Sequence, residues 1–156
     1  MRSIVTWALV MLLGILTGCG NSAGPPTTSA TVGASVGADR YLADTAAAAH
    51  AVRVFAAVLD TKGAPATPEL LKRMVSQLDP PLAQAKLAGQ RLSAEVVADR
   101  RLEAQRSQSA ASFATTVTAM ERVRDAAAAG DPAAARAASI ELTQALTGLK
   151  GAAPAP

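Results

Sequence analysis

Few residues in this chain have side chains suited to a reaction, and their numbers restrict what the reaction can be. His50 is the only histidine and Cys19 the only cysteine. A multi-histidine metal site cannot be built in one chain from these, nor can an intramolecular disulfide, and most metal-dependent hydrolases are excluded with them. His50 lies two residues from both Ala48 and Val52, which on a helix turns it away from their apolar stripe and toward solvent. Met74 and Met120 are available as haem or copper ligands beside His50. No C-x-x-C-H attachment sequence accompanies them, however, and Met at helical spacing reads as core filler. Glu95, Asp99 and Glu103 follow one another at four-residue intervals, so a continuous helix puts three carboxylates on one face. Acid–base work by such groups needs a cleft. Arg91, Arg100 and Arg106 flank them instead, the pattern of a solvated charged surface; its functional alternative is a docking patch made by Arg100, Arg101, Glu103 and Arg106. Gly63 and Gly130 are isolated and form no phosphate-binding loop. The expectation is a chain without catalytic residues, metal ligands or a dissociable cofactor.

Cys19 has a more specific setting. Residues 1–19 read MRSIVTWALVMLLGILTGC, with one positive charge at Arg2 and an apolar stretch over residues 4–16. This is the layout of an export signal, and its apolar run falls short of the roughly 20 residues that span a bilayer as a permanent helix. The run ends in Leu16, Thr17, Gly18 and Cys19, which resembles the lipobox of bacterial lipoproteins. The resemblance covers the first 19 residues. It implies that residues 1–18 are a lipoprotein signal peptide whose Leu16, Thr17 and Gly18 are read by signal peptidase II. It further implies that the Cys19 thiol carries a diacylglyceryl group, with palmitate-type acyl chains, and that cleavage falls just before it. Small side chains at Thr17 and Gly18 let the backbone enter a narrow processing site. Two or more acyl chains make attachment stable where one is marginal, each buried methylene contributing about 0.8 kcal/mol. The alternative is an ordinary secretory signal followed by a coincidental cysteine.

Residues 19–37 are then the lipidated cysteine and a tether rich in Gly, Ser, Thr, Ala and Pro, a composition that predicts disorder. Its last 18 residues span roughly 20 to 25 Å as a flexible coil, enough to hold a domain clear of headgroups. Residues 151–156, GAAPAP, form a similarly loose tail.

Residues 38–150 must supply the folded domain, and their pattern is helical throughout. Tyr41, Thr45, Ala48, Val52, Phe55 and Leu59 recur at spacings of four and three, an amphipathic stripe, with Asp39 as the expected cap and Gly63 and Pro65 as the stop. Thr67, Pro68 and Glu69 announce the next start. Leu71, Val75 and Leu78 make its stripe, Asp79-Pro80-Pro81 breaks or kinks it, and Leu82, Ala85, Gly89, Leu92 and Val96 carry it on. Residues 99–109 hold one large apolar group, Leu102, and no glycine or proline. They are either the exposed middle of one helix over residues 79–129 or the tip of a hairpin; a helix of about 50 residues would reach roughly 75 Å and outrun its partners, which favours the hairpin. Phe113, Val117, Met120 and Arg124 lead toward Gly130. Asp131 and Pro132 open a final helix with Ala135, Leu142, Leu146 and Leu149 on one face.

The predicted fold is all-α, a three- or four-helix antiparallel bundle. Half of the residues are hydrophobic, yet about a quarter of the chain is alanine, so the core is thin and the helices approach closely. The formal charge of +3 drops by one with Arg2, and the basic residues form no stripe interleaved with aromatics, so nucleic acid is not an expected partner. The lipobox, the Ser/Thr/Pro tether and the Gly130-Asp131-Pro132 junction together resemble alanine-rich lipoproteins of high-GC bacteria, a likeness that implies no activity. The functional expectation is an extracytoplasmic module, lipid-anchored to the cell membrane, that docks onto another envelope component. The alternative is a carrier holding a small apolar ligand among its helices.

Overall fold

A computed structural model of the chain describes residues 37–60 and 66–151. Among the described residues there are four α-helices and no strand: α1 (Ala38–Leu59), α2 (Pro68–Ala94), α3 (Arg100–Ala129) and α4 (Pro132–Gly151). The fold is all-α, as the stripes predict, and it is the four-helix alternative. The signal segment 1–18 with Leu16, Thr17 and Gly18, the lipidation candidate Cys19, the tether up to residue 36, the stop at Gly63 and Pro65, and residues 152–156 lie outside the described residues. Gly151, the first residue of the expected tail, belongs to α4.

Ion pairs between helices show the antiparallel sense. Between α2 and α3, Asp79 pairs with Arg124 and Lys86 with Glu121; between α1 and α2, Arg40 reaches just past the end of α2 to Glu95, and Asp44 reaches Arg91. As one member of each series advances, the other retreats. Arg122 of α3 with Glu141 of α4 joins the last pair. Each helix packs on the next, α1 on α2, α2 on α3 and α3 on α4, with sparse contact between α1 and α3. The bundle is therefore built as a serial row of hairpins.

Phe55, Phe113, Leu78, Leu92, Met120 and Val123 are the largest side chains fully removed from solvent, and alanines such as Ala51 and Ala85 fill the closest approaches between them. Gly89 is one such approach: a Cβ there would sit 3.3 Å from the Phe113 ring, so glycine lets the ring lie against α2. Thr116 is completely buried and satisfies its hydroxyl by donating to the Ser112 carbonyl at 3.1 Å.

Caps fix most of the helix ends. Thr67 Oγ1 accepts from Leu70 N at 3.2 Å with Pro68 in the first turn, and Asp131 Oδ1 accepts from Ala133 N and Ala134 N at 2.9 and 3.0 Å. Gly130 ends α3 in the left-handed region at φ 67°, the residue type that does so without a Cβ clash. Three expectations need correction. Asp39 is not the cap of α1; Gly37 holds that position and Asp39 lies in the first turn, where its charge still favours the helix dipole. The Asp79-Pro80-Pro81 sequence does not end α2, which runs through both prolines. The carbonyls that the prolines leave without donors belong to Ser76 and Gln77, both exposed, so water can serve them. Finally, Val96 is exposed at 49% while Val97 is buried, because α2 stops at Ala94 and the chain leaves its helical register.

By length and composition α1, with a mean hydropathy of 1.4, is long and apolar enough to cross a membrane. One apolar helix near the N-terminus is compatible with a signal or a membrane anchor. In the fold its Tyr41, Asp44, Ala48, Ala51, Val52 and Phe55 are buried, so this helix supplies one wall of the bundle.

Candidate functional site

The hairpin between α2 and α3 settles the choice left open over residues 79–129: there are two helices. The tip is the five residues 95–99, and residues 100–109 already belong to α3. Asp99 starts α3, its Oδ1 accepting from Arg101 N and Leu102 N, each at 2.9 Å. The remaining polar groups of the tip knit the hairpin to itself and to α1.

Arg106 is the centre of this arrangement. It is 8% exposed, donates from Nε and Nη2 to the two carboxylate oxygens of Glu103 at 2.8 and 2.6 Å, and donates from Nη1 to the carbonyl of Leu92. That carbonyl is one of the last in α2 and has lost its helical donor, so a side chain fourteen residues onward caps the helix. Glu103 also accepts from Val97 N at 2.9 Å, pinning the tip. The Arg106 fork and, after it, the Val97 amide hold the Glu103 carboxyl well below its ordinary value, at about 2. Reciprocally, the bond to Glu103 pushes the Arg106 guanidinium upward.

Around this pair, Glu95 accepts from Arg40 Nε at 2.8 Å, and its other oxygen is buried without a hydrogen-bond partner among the described residues. Asp44 lies buried between Arg40 at 4.0 Å and Arg91 at 3.6 Å. Tyr41 Oη is 3.5 Å from Ser109 Oγ, and it brings α1 against α3.

The three carboxylates expected on one face therefore have separate tasks: Glu95 holds α1, Asp99 caps α3, and Glu103 pairs with Arg106. The four residues of the expected docking patch also divide. Arg100 and Arg101 are exposed and Glu103 is half-buried, whereas Arg106 is buried and cannot meet a partner directly. The reason is the helix break at residues 95–99, which turns the chain back so that Arg106 on α3 meets the end of α2 at the Leu92 carbonyl. His50 is exposed, as its position off the stripe requires, while Met74 and Met120 are core residues on different helices. Among the described residues no group of three or more His, Cys, Asp or Glu is placed to hold a metal ion. Arg40 and Asp44 escaped the reading of the sequence, and Tyr41 was read only as a member of the apolar stripe. Asp44 left a signal, since it stands three residues after Tyr41 and four before Ala48, on the apolar stripe where a charge needs a buried partner.

At the opposite end, Leu59 and Leu70, Met74, Leu78, Val123 and Ile140 border an open groove of about 880 Å³ between α2, α3 and α4. Its floor is sealed, as Leu78 and Val123 are essentially inaccessible, and Ile140 stands on its rim at 55% exposure.

Comparison of the chain with protein-family models, with curated proteins and with solved structures finds no match.

Proposed function

We propose that this chain is an extracytoplasmic lipoprotein, anchored by acyl chains on Cys19, whose four-helix bundle is a noncatalytic interaction module of the cell envelope. The observation that carries the reading is the placement of the only thiol directly after Leu16, Thr17 and Gly18, at the end of a short apolar run with Arg2 before it. An exported thiol with no possible intramolecular partner has a purpose if it becomes the attachment point. The start of the bundle at Ala38 leaves a Gly/Ser/Thr/Pro-rich stretch between anchor and fold, the length a tether needs.

The noncatalytic part of the reading is supported by what the charged groups do. Glu103, Arg106, Glu95, Asp44 and Asp99 hold helices together, and the exposed Arg100 and Arg101 are left for contact with another envelope component. A second reading, a carrier of a small apolar ligand, is supported by the groove bordered by Met74, Leu78 and Val123; native mass spectrometry of repeated preparations tests it through co-purified ligand.

The experiment for the anchor is a Cys19→Ser substitution followed by cell fractionation and immunoblotting. The parent chain is expected in the membrane fraction at its mature size, and the variant is expected to keep residues 1–18. A variant that matures normally and partitions like the parent contradicts the proposal.

A further inference from the structure

We infer that the end of the bundle formed by the α2–α3 tip and the start of α1 rests against anionic phospholipid headgroups, with Arg100 and Arg101 making the contact. The inference rests on the lipid anchor proposed above and names what the exposed arginines meet.

The first observation is topological. Arg40, in the first turn of α1, donates to Glu95 at 2.8 Å at the beginning of the tip, so α1 starts at the same end of the bundle as the α2–α3 turn. A tether arriving from Cys19 therefore joins the fold at this end, while the apolar groove lies at the other.

The second observation is how charge is sorted between inside and outside. The carboxylates of Asp44 and Glu95 have side-chain exposures of only 9% and 8%, Glu103 is held by Arg106, and Asp99 is turned back onto its own helix. Only Asp39 remains as an outward carboxylate without such a task. Arg40 and Arg91, the partners of the inward acids, keep 65% and 51% of their side chains exposed. Arg100 and Arg101 are exposed, and no carboxylate among the described residues lies within ion-pair distance of either. Cations and carboxylates are close to balanced in number here, so long-range attraction is small. What the surface offers acts at short range: two exposed guanidinium groups with no carboxylate partner among the described residues, each attracted by about 1 kcal/mol to an anionic headgroup layer and little to a zwitterionic one.

The third observation is that these two arginines occupy the first turn of α3, at the positive end of its dipole, where cations are disfavoured. Stability alone does not account for that placement, and a departure from local rules is expected where a surface has another task. Two arginines would bind a membrane weakly from free solution. A tether of this length raises the local concentration of headgroups so far that a weak contact suffices.

The test uses the mature lipidated protein in vesicles of phosphatidylcholine alone, or with about one third phosphatidylglycerol. Flotation with the neutral vesicles reads the anchor by itself. An arginine-specific dicarbonyl reagent followed by peptide mass spectrometry then reads the contact. Modification of Arg100 and Arg101 is expected to be about fivefold slower on anionic than on neutral vesicles at low salt. The difference should vanish at roughly 0.5 M salt, where charges separated by more than a few ångströms are screened. Arg73 and Arg136, exposed at the opposite end, should react equally on both. Equal rates for Arg100 and Arg101 on the two vesicles overturn the inference while leaving the anchor intact. Protection confined to native envelope fragments assigns these residues to a protein partner and overturns it as well. A protein that does not float on neutral vesicles refutes the anchor, and the inference falls with it.

Discussion

Arg106 and Glu103 illustrate how a surface-like sequence becomes an interior one. Both were legible as members of a charged segment, and neither could be assigned its partner, because the Leu92 carbonyl and the Val97 amide that complete their bonding lie on the other side of a turn. The pair makes the fold sensitive to acid in a definite direction. A carboxyl held at about 2 in the folded chain against an ordinary 4.5 binds its proton more weakly than in the unfolded chain, so its contribution is fully present above pH 4.5 and is lost as pH falls toward 2. Thermal unfolding of the parent and of Glu103→Gln should therefore differ most above pH 4.5, with the parent higher, and the two midpoints should converge by pH 2. A gap of constant size across that interval means that Glu103 is not held by Arg106 in the manner described.

At the level of elements, the helices with local punctuation were readable and the turn without it was not. Thr67, Asp131 and Gly130 each act through bonds to residues within a few positions, and each appears in the fold in the role its type predicts. Residues 95–99 contain neither glycine nor proline. Their turn is made by Asp99 capping forward and by Arg106 and Glu103 reaching back across the hairpin, the latter being tertiary contacts that no local pattern displays. Conversely, Pro80 and Pro81 read as a break or a kink, and the break does not occur, because a helix tolerates prolines where the carbonyls they orphan face water. The junction of α3 and α4 gives a direct check. Replacing Gly130 with Ala puts a Cβ on a residue at φ 67°, 2.8 Å from Lys72 Cε. The lysine can swing aside, but the Pro68 carbonyl oxygen 3.3 Å away must also give, so the backbone conformation, at about 1 to 2 kcal/mol, sets the least that the change costs. Chemical denaturation that finds Gly130→Ala as stable as the parent would mean that α3 ends differently.

For the whole molecule, the stripes on the helices were enough to give an all-α bundle, since apolar residues at three- and four-residue spacing can be buried in no other regular way. The thinness of the core also followed from composition, and Ala51, Ala85 and Ala127, buried to 1% exposure or less, show the close helix approaches that alanine allows. The order of packing was not legible from alanine faces, which carry little shape information; the serial row follows the short connections at residues 95–99 and 130–131, which set each helix beside the next, and pairs such as Asp44 with Arg91 and Asp79 with Arg124 bridge the seams so formed. The candidate contact surface, Arg100 and Arg101, was visible in the sequence as part of a larger patch that the burial of Arg106 reduces.

The mass of the mature N-terminus tests the lipid anchor most directly. Intact-protein mass spectrometry of the membrane-extracted chain, with N-terminal peptide sequencing, should find a polypeptide that begins at Cys19 and carries the mass of a diacylglyceryl group on its sulfur. A mature chain that begins elsewhere, or begins at Cys19 with a free thiol, contradicts the anchor and everything built on it.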